Sequence, residues 1–140
     1  MADVLAGVHP ELVTRLAKVY AAMAALGWPM KPTEGVRTLD RQQALYAQGR
    51  TAPGKLVTNA DGLRFRSNHQ VHADGFGHAV DSAFQGDDPY LEDDPDGGLK
   101  WATYGALVRG MKLIWGGDWK GLHDRPHAEL PDALTDVLRA

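Results

Sequence analysis

Regular apolar patterning stops at Gly49 and does not resume until Phe76. The stretch between is rich in Gly, Asn, Asp and Ser and fits neither a helical nor a strand period. Irregular segments of this length are uncommon inside compact domains and are usually functional or disordered. The fold is therefore built from the regular blocks on either side.

Before the gap, Leu12, Val13, Leu16, Val19, Tyr20, Met23 and Leu26 recur at three- and four-residue steps. They predict an amphipathic helix from Pro10 to Leu26, stopped by Gly27 with Pro29 beyond. Pro32 to Val36 reads as a short extended piece, and Thr38 caps a second helix, Leu39 to Gln48, closed by Gly49. After the gap, Phe76 to Phe84 reads as a strand with Phe76, His78, Val80 and Ser82 on one face and Gly77, Ala79 and Asp81 on the other. Residues 86–98 form an acidic, turn-rich segment, read as a solvated loop; its carboxylates leave a calcium site as the alternative, although the spacing does not match an EF-hand loop. A third helix runs from Leu99 to about Met111, with Trp101, Tyr104, Leu107, Val108 and Met111 as its core positions. Lys112 to Trp115 and His127 to Leu130 are strands, Gly116 to Gly121 is a turn, and Pro131 opens a terminal helix over Asp132 to Arg139. Helices mixed with short strands give the α+β class: a single small domain over residues 1–140, with a short antiparallel sheet and flanking helices.

A chain of 140 residues, 44% hydrophobic and 24% charged, is large enough to bury a core without staples. With no cysteine there is no disulfide, thiolate ligand or cysteine nucleophile, so a metal site must use His, Asp or Glu. The net charge of −3, with Lys and Arg scattered, leaves no basic footprint for nucleic acid or membrane. The start lacks the features of a secretory signal, and no apolar run approaches spanning length, so the expectation is synthesis and retention in the cytoplasm until release.

Two polar strings carry the chemistry: Ser67-Asn68-His69 running on to Gly77-His78-Ala79-Val80-Asp81, and Asp124-Arg125-Pro126-His127. They offer two imidazoles and a carboxylate as ligands, with a second carboxylate three residues before the last. A catalytic zinc needs that set: three protein ligands, an open position and a nearby base. Asp81 and His127 each lie beside a predicted strand that can bring them to one sheet face. His69 and His72 both remain open as the first ligand. His78 faces away from Asp81, and His9 and His123 read as surface residues, His123 near the site.

These strings resemble the Ser-x-His…Gly-x-Ala-x-Asp and Asp-x-x-His signatures of the zinc D-alanyl-D-alanine carboxypeptidase family, including its phage endolysin members. The resemblance runs from about Arg37 to Leu130 and includes Gly35-Val36-Arg37-Thr38, the run Gln43, Gln48, Gly49 and Arg50, and Trp115-Gly116-Gly117-Asp118-Trp119. It implies a zinc cleft on the sheet with His69, Asp81 and His127 as ligands, His69 being preferred over His72 because Ser67 completes the motif. It implies Asp124 as the general base, with Glu129 as fallback, and Arg37 as oxyanion or carboxylate binder; the Gln…Gln-Gly-Arg run is scaffold.

The implied activity is zinc-dependent hydrolysis of peptidoglycan stem peptides at the L-alanyl–D-glutamate bond. The protein would be a monomeric endolysin without a separate wall-binding domain, acting on the wall after release. A D,D-carboxypeptidase or dipeptidase acting on D-alanyl-D-alanine, and a non-catalytic wall- or protein-binding module stapled by zinc, are the alternatives.

Overall fold

The computed structural model describes residues 3–131; the expected terminal helix, Asp132 to Arg139, lies outside the described residues. Helix α1, Pro10–Ala25, buries Leu12, Leu16, Val19 and Met23 along one stripe. Its first turn is capped by His9, whose Nδ1 accepts the Glu11 N–H at 3.0 Å. His9 is therefore a buried cap, not a surface residue, because its ring nitrogen takes the place usually held by a Ser or Asp oxygen. Helix α2, Leu39–Ala47, is capped by Thr38 as the sequence predicts, and α3, Gly97–Gly110, buries Trp101, Tyr104 and Val108.

Strands β1 (Met30–Glu34), β2 (Ala79–Phe84), β3 (Ile114–Trp115) and β4 (His127–Glu129) form an antiparallel sheet in the order β1-β2-β4-β3. β1 starts and ends two residues earlier than the predicted piece: Met30 and Lys31 already pair with Phe84 and Ala83, while beyond Glu34 the Arg37 N–H turns to the His69 carbonyl at 2.8 Å. β2 starts at Ala79 and not Phe76, because Gly77 bridges to Val8 and Val71 instead of joining the sheet. β3 is only two residues long because Lys112 adopts a left-handed conformation, φ 62°, as α3 ends.

One sheet face packs on the helices. Ser82 on β2 sits fully buried between Tyr20 of α1 and Tyr104 of α3, with its Oγ 2.5 Å from the Tyr20 hydroxyl and 3.4 Å from that of Tyr104. Burial pushes the Tyr20 phenol up to about 12, still further from ionisation at neutral pH. The opposite face of the same strands carries Asp81, His127 and Glu129, and the long loop between α2 and β2 folds over it.

Packing in the helical layer is tight enough for one methyl group to decide stability. A Cβ at Gly105 would lie 2.2 Å from the Trp115 ring, whereas one at Gly110 meets nothing within 4 Å. Alanine favours a helix by about 1 kcal/mol over glycine, but overpacking a rigid buried ring costs about 1–3 kcal/mol. Gly105→Ala should therefore lower the urea midpoint while Gly110→Ala leaves it unchanged or raises it. A Gly105→Ala protein as stable as wild type would contradict this packing.

Candidate metal centre and active site

The sheet register assembles the site. Asp81 on β2 pairs with Glu34 on β1 and with His127 on β4, so three side chains form a row across the sheet. Side chains directly opposite in adjacent antiparallel strands lie close together on one face. His69 enters from the loop. Its backbone N–H is held by the Ser67 hydroxyl at 3.2 Å and its carbonyl by Arg37. The preceding Asn68 donates its amide to Glu129 and accepts the His78 N–H at 2.7 Å through its carbonyl. Each member of Ser67-Asn68-His69 thus has a separate task.

Hydrogen bonds on the outside fix which atoms face inward. The Gly35 carbonyl lies 2.8 Å from His69 Nδ1 and can only accept, so Nδ1 carries the proton and Nε2 is bare. Glu129 Oε1 lies 2.7 Å from His127 Nε2, which leaves His127 Nδ1 inward. Arg37 Nη2 donates to Asp81 Oδ2 at 3.1 Å, leaving Oδ1 buried with no hydrogen-bond donor. His69 Nε2, His127 Nδ1 and Asp81 Oδ1 stand 3.2–3.3 Å apart. Three acceptor atoms aimed at one point repel one another unless a positive charge lies between them.

In the metal-free protein a proton supplies that charge. Burial works to lower the His127 pKa, but the Asp81 and Glu129 carboxylates outweigh it and hold it at about 9. Burial likewise opposes ionisation of Asp81, yet His127 and His69 keep it far below the usual carboxylate range. A divalent ion fits better than a proton, because a tetrahedral centre with bonds of about 2.0–2.1 Å has edges of roughly 3.3 Å. The orphaned Asp81 oxygen and the two bare ring nitrogens are an N/N/O set able to hold such an ion.

Asp124 stands beside the cage, with Oδ2 3.8 Å from His127 Nδ1. Burial and the negative charge of Asp81 raise its pKa. Its backbone N–H donates to Gly116 O at 3.0 Å, and a Cβ on Gly116 would lie 2.3 Å from the Asp124 carbonyl oxygen. Only glycine allows that approach. The Trp119 ring tilts against His127 with centroids 4.7 Å apart. The site opens into a cleft of about 710 Å³ lined by the loop around Leu56–Asn68 and by Trp119–Asp124.

His69, Asp81, His127, Asp124 and Arg37 all line this cleft. His72 does not, because its ring stacks on His78 at 3.7 Å, and His78 in turn lies 2.6 Å from Asp74. Arg37 is largely committed: Nε and Nη2 grip Glu34, Nη2 also reaches Asp81, and Nη1 donates to Gln42 at 3.1 Å. Glu129 is occupied by His127 and Asn68, so it orients His127 and is not placed as a base. His123 lines the cleft and Trp115 is core. Of the scaffold run, Arg50 lies over Tyr46 and ties residues 46, 58 and 59, while Gln43 is exposed. Sequence reasoning missed Glu34 and the buried Gln42; the strand register identifies the first, and no local pattern identifies the second.

Comparison with known proteins identifies the family and the fold. The D-alanyl-D-alanine carboxypeptidase family matches residues 60–130. The peptidoglycan L-alanyl-D-glutamate endopeptidase CwlK of Bacillus subtilis is 32% identical over 128 residues, covering 87% of this chain and 72% of that protein. The crystal structure of the Serratia marcescens L-Ala D-Glu endopeptidase ChiX is 26% identical with a TM-score of 0.60, covering 94% of this chain and 86% of that one. The vancomycin-resistance D,D-pentapeptidase VanY, solved with Zn(II), shares the fold at 16% identity and a TM-score of 0.58, over 95% of this chain and 79% of its own. With a relative at this identity and a family match that spans both ligand strings, the chain belongs to the D-alanyl-D-alanine carboxypeptidase family of peptidases.

Proposed function

We propose that the protein is a zinc peptidase that hydrolyses peptidoglycan stem peptides at the L-alanyl–D-glutamate bond, as an enzyme of the phage endolysin type. The carrying observation is the cage of three inward acceptor atoms with the half-buried Asp124 carboxylate at its edge, inside an open cleft. The choice of bond is supported by CwlK and ChiX, both L-Ala–D-Glu endopeptidases and both more similar in sequence than the D,D-peptidase neighbour. A module that kept zinc only as a staple would have no use for Asp124.

His69, Asp81 and His127 hold the ion; Gly35, Arg37 and Glu129 lock their orientation. When bound, zinc supplies Lewis acidity, acidifying a water and polarising the scissile carbonyl. Asp124 accepts the proton of the attacking water and delivers it to the leaving amine. Arg37 has one Nη1 hydrogen left after its bonds to Glu34, Asp81 and Gln42, and it offers that donor to the developing oxyanion. Trp119 covers His127 on the cleft side.

Mass analysis of fragments from purified peptidoglycan tests the reading. It should show a new amino terminus on the glutamyl residue with L-alanine left on the muramic acid. Release of terminal D-alanine alone would replace the reading with the D,D-carboxypeptidase one.

Metal uptake should be linked to protons. His127 is protonated below about 9 in the metal-free protein and must lose that proton to become a ligand, whereas Asp81 is already ionised. Zinc binding at pH 7 should release about one proton per ion. Its affinity should climb with pH and level off above about 9. Calorimetry in buffers of different ionisation enthalpy measures this directly; uptake with no proton release would show that His127 is not a ligand.

Asp124→Asn removes the proton acceptor while keeping its shape. Turnover should fall by at least about 100-fold, with zinc content unchanged. Because the folded-state pKa of Asp124 is raised, its charge disfavours the fold above the unfolded value, so the metal-free Asn variant should melt at or above wild type. A variant that loses zinc would make Asp124 a ligand, and one that keeps full activity would place the base elsewhere.

A further inference from the structure

The floor of the cleft is acidic, with Glu34, Asp81, Asp124 and Glu129 all lining it. Among the described residues, the ion pairs of Arg37 go to Glu34 and Asp81, and that of Arg41 to Glu34. Two other cations line the cleft, Arg66 on the loop side and Lys120 on the side of Trp119, and among the described residues neither has a carboxylate partner. Arg66 uses one Nη2 donor on the Val71 carbonyl at 3.1 Å.

The wall that presents Arg66 is tightly built although its tip is exposed. Gln42, fully buried, donates to Ala60 O at 2.8 Å and to Thr58 Oγ1 at 3.3 Å. Gln70, also buried, donates to Gly62 O at 3.0 Å and accepts the Ser67 N–H at 2.9 Å. Asp61 Oδ1 accepts the N–H groups of Leu63, Arg64 and Phe65 at 2.9–3.0 Å, in a segment, 49–66, that has this one carboxylate against Arg50, Lys55, Arg64 and Arg66. Buried amides satisfied on both sides make a rigid loop, and this one holds Phe65 62% exposed beside Arg66. Rigidity of that kind lowers the ordering cost of binding.

We propose that Arg66 and Lys120 are specificity residues that bind carboxylates of an acidic peptide, with the Arg66 wall pre-set by Gln42 and Gln70. This rests on the peptidase reading and names what that site selects: a peptide bearing a free carboxylate next to the scissile bond, as a D-glutamyl residue linked through its side chain does.

The test uses the zinc-loaded full chain and two peptides, L-Ala–γ-D-Glu–L-Lys with the glutamyl α-carboxyl free and the same peptide with that group as an amide. Wild type should prefer the acid, about threefold or more in kcat/KM, as expected for exposed charge pairs. R66Q and K120Q should each raise KM for the acid while leaving kcat and the amide kinetics unchanged. R64Q, on the same loop but outside the cleft lining, should behave as wild type. Added salt should erase the preference in wild type and change the R66Q kinetics much less. R66Q and K120Q that slow both peptides equally, or that change neither, would overturn the proposal. If wild type cleaves neither peptide, the bond assignment fails, and calorimetric binding of the two peptides then decides the cation assignment. A preference for the acid that R66Q abolishes supports the assignment, and equal binding by wild type and R66Q overturns it.

Discussion

Everything in this structure turns on three acceptor atoms held against their mutual repulsion. His69 Nε2, His127 Nδ1 and Asp81 Oδ1 approach to 3.2–3.3 Å because each is pulled from behind by a stronger partner: Gly35 O, Glu129 and Arg37. Those outer bonds fix tautomers and rotamers before any ion arrives. Outer partners of this kind are typically worth about 10–100-fold in metal affinity. The metal-free protein relieves the repulsion by protonating His127, and a divalent cation in that place would bring more charge and a better geometric match.

The scaffold behind the cage explains why it can hold this arrangement. β2 is gripped on its rear face by Ser82, which sits between the Tyr20 and Tyr104 hydroxyls, and on its front face by Arg37. Burial raises both phenols well above neutral pH, so neither ionises near Asp81. A one-residue slip of β2 against β4 would turn Asp81 into the helical layer and break the row with His127. The core face, with Val80, Phe84, Ala128 and Trp115 buried, makes such a slip costly. Hydrophobic packing thus sets the register, and the register brings the three acceptor atoms together.

Much of this could be read from the residues. The stripe from Leu12 to Met23, the Thr38 cap and the alternation along residues 79–84 are local patterns, and they mark α1, α2 and β2 to within a few residues. The strings around His69, Asp81 and His127 were legible because metal chemistry restricts residue types. What stayed hidden depends on distant partners. Lys112 ends up left-handed and Gly77 bridges to Val8 only because of where other segments lie. Glu34 becomes the clamp on Arg37 through a bulge between Pro32 and Glu34 that no local pattern announces. Gln42 looks like any polar helix residue until the loop folds over it.

X-ray absorption at the zinc edge tests the central claim most directly, since it reports the atoms around the ion without relying on activity. The account predicts one zinc per chain with two imidazole nitrogens and oxygen ligands only, at about 2.0–2.2 Å. A third imidazole in the shell would mean that His72 or His123 completes the site. A shell of oxygens alone would place the ion away from His69 and His127, and the account of the cage would be wrong.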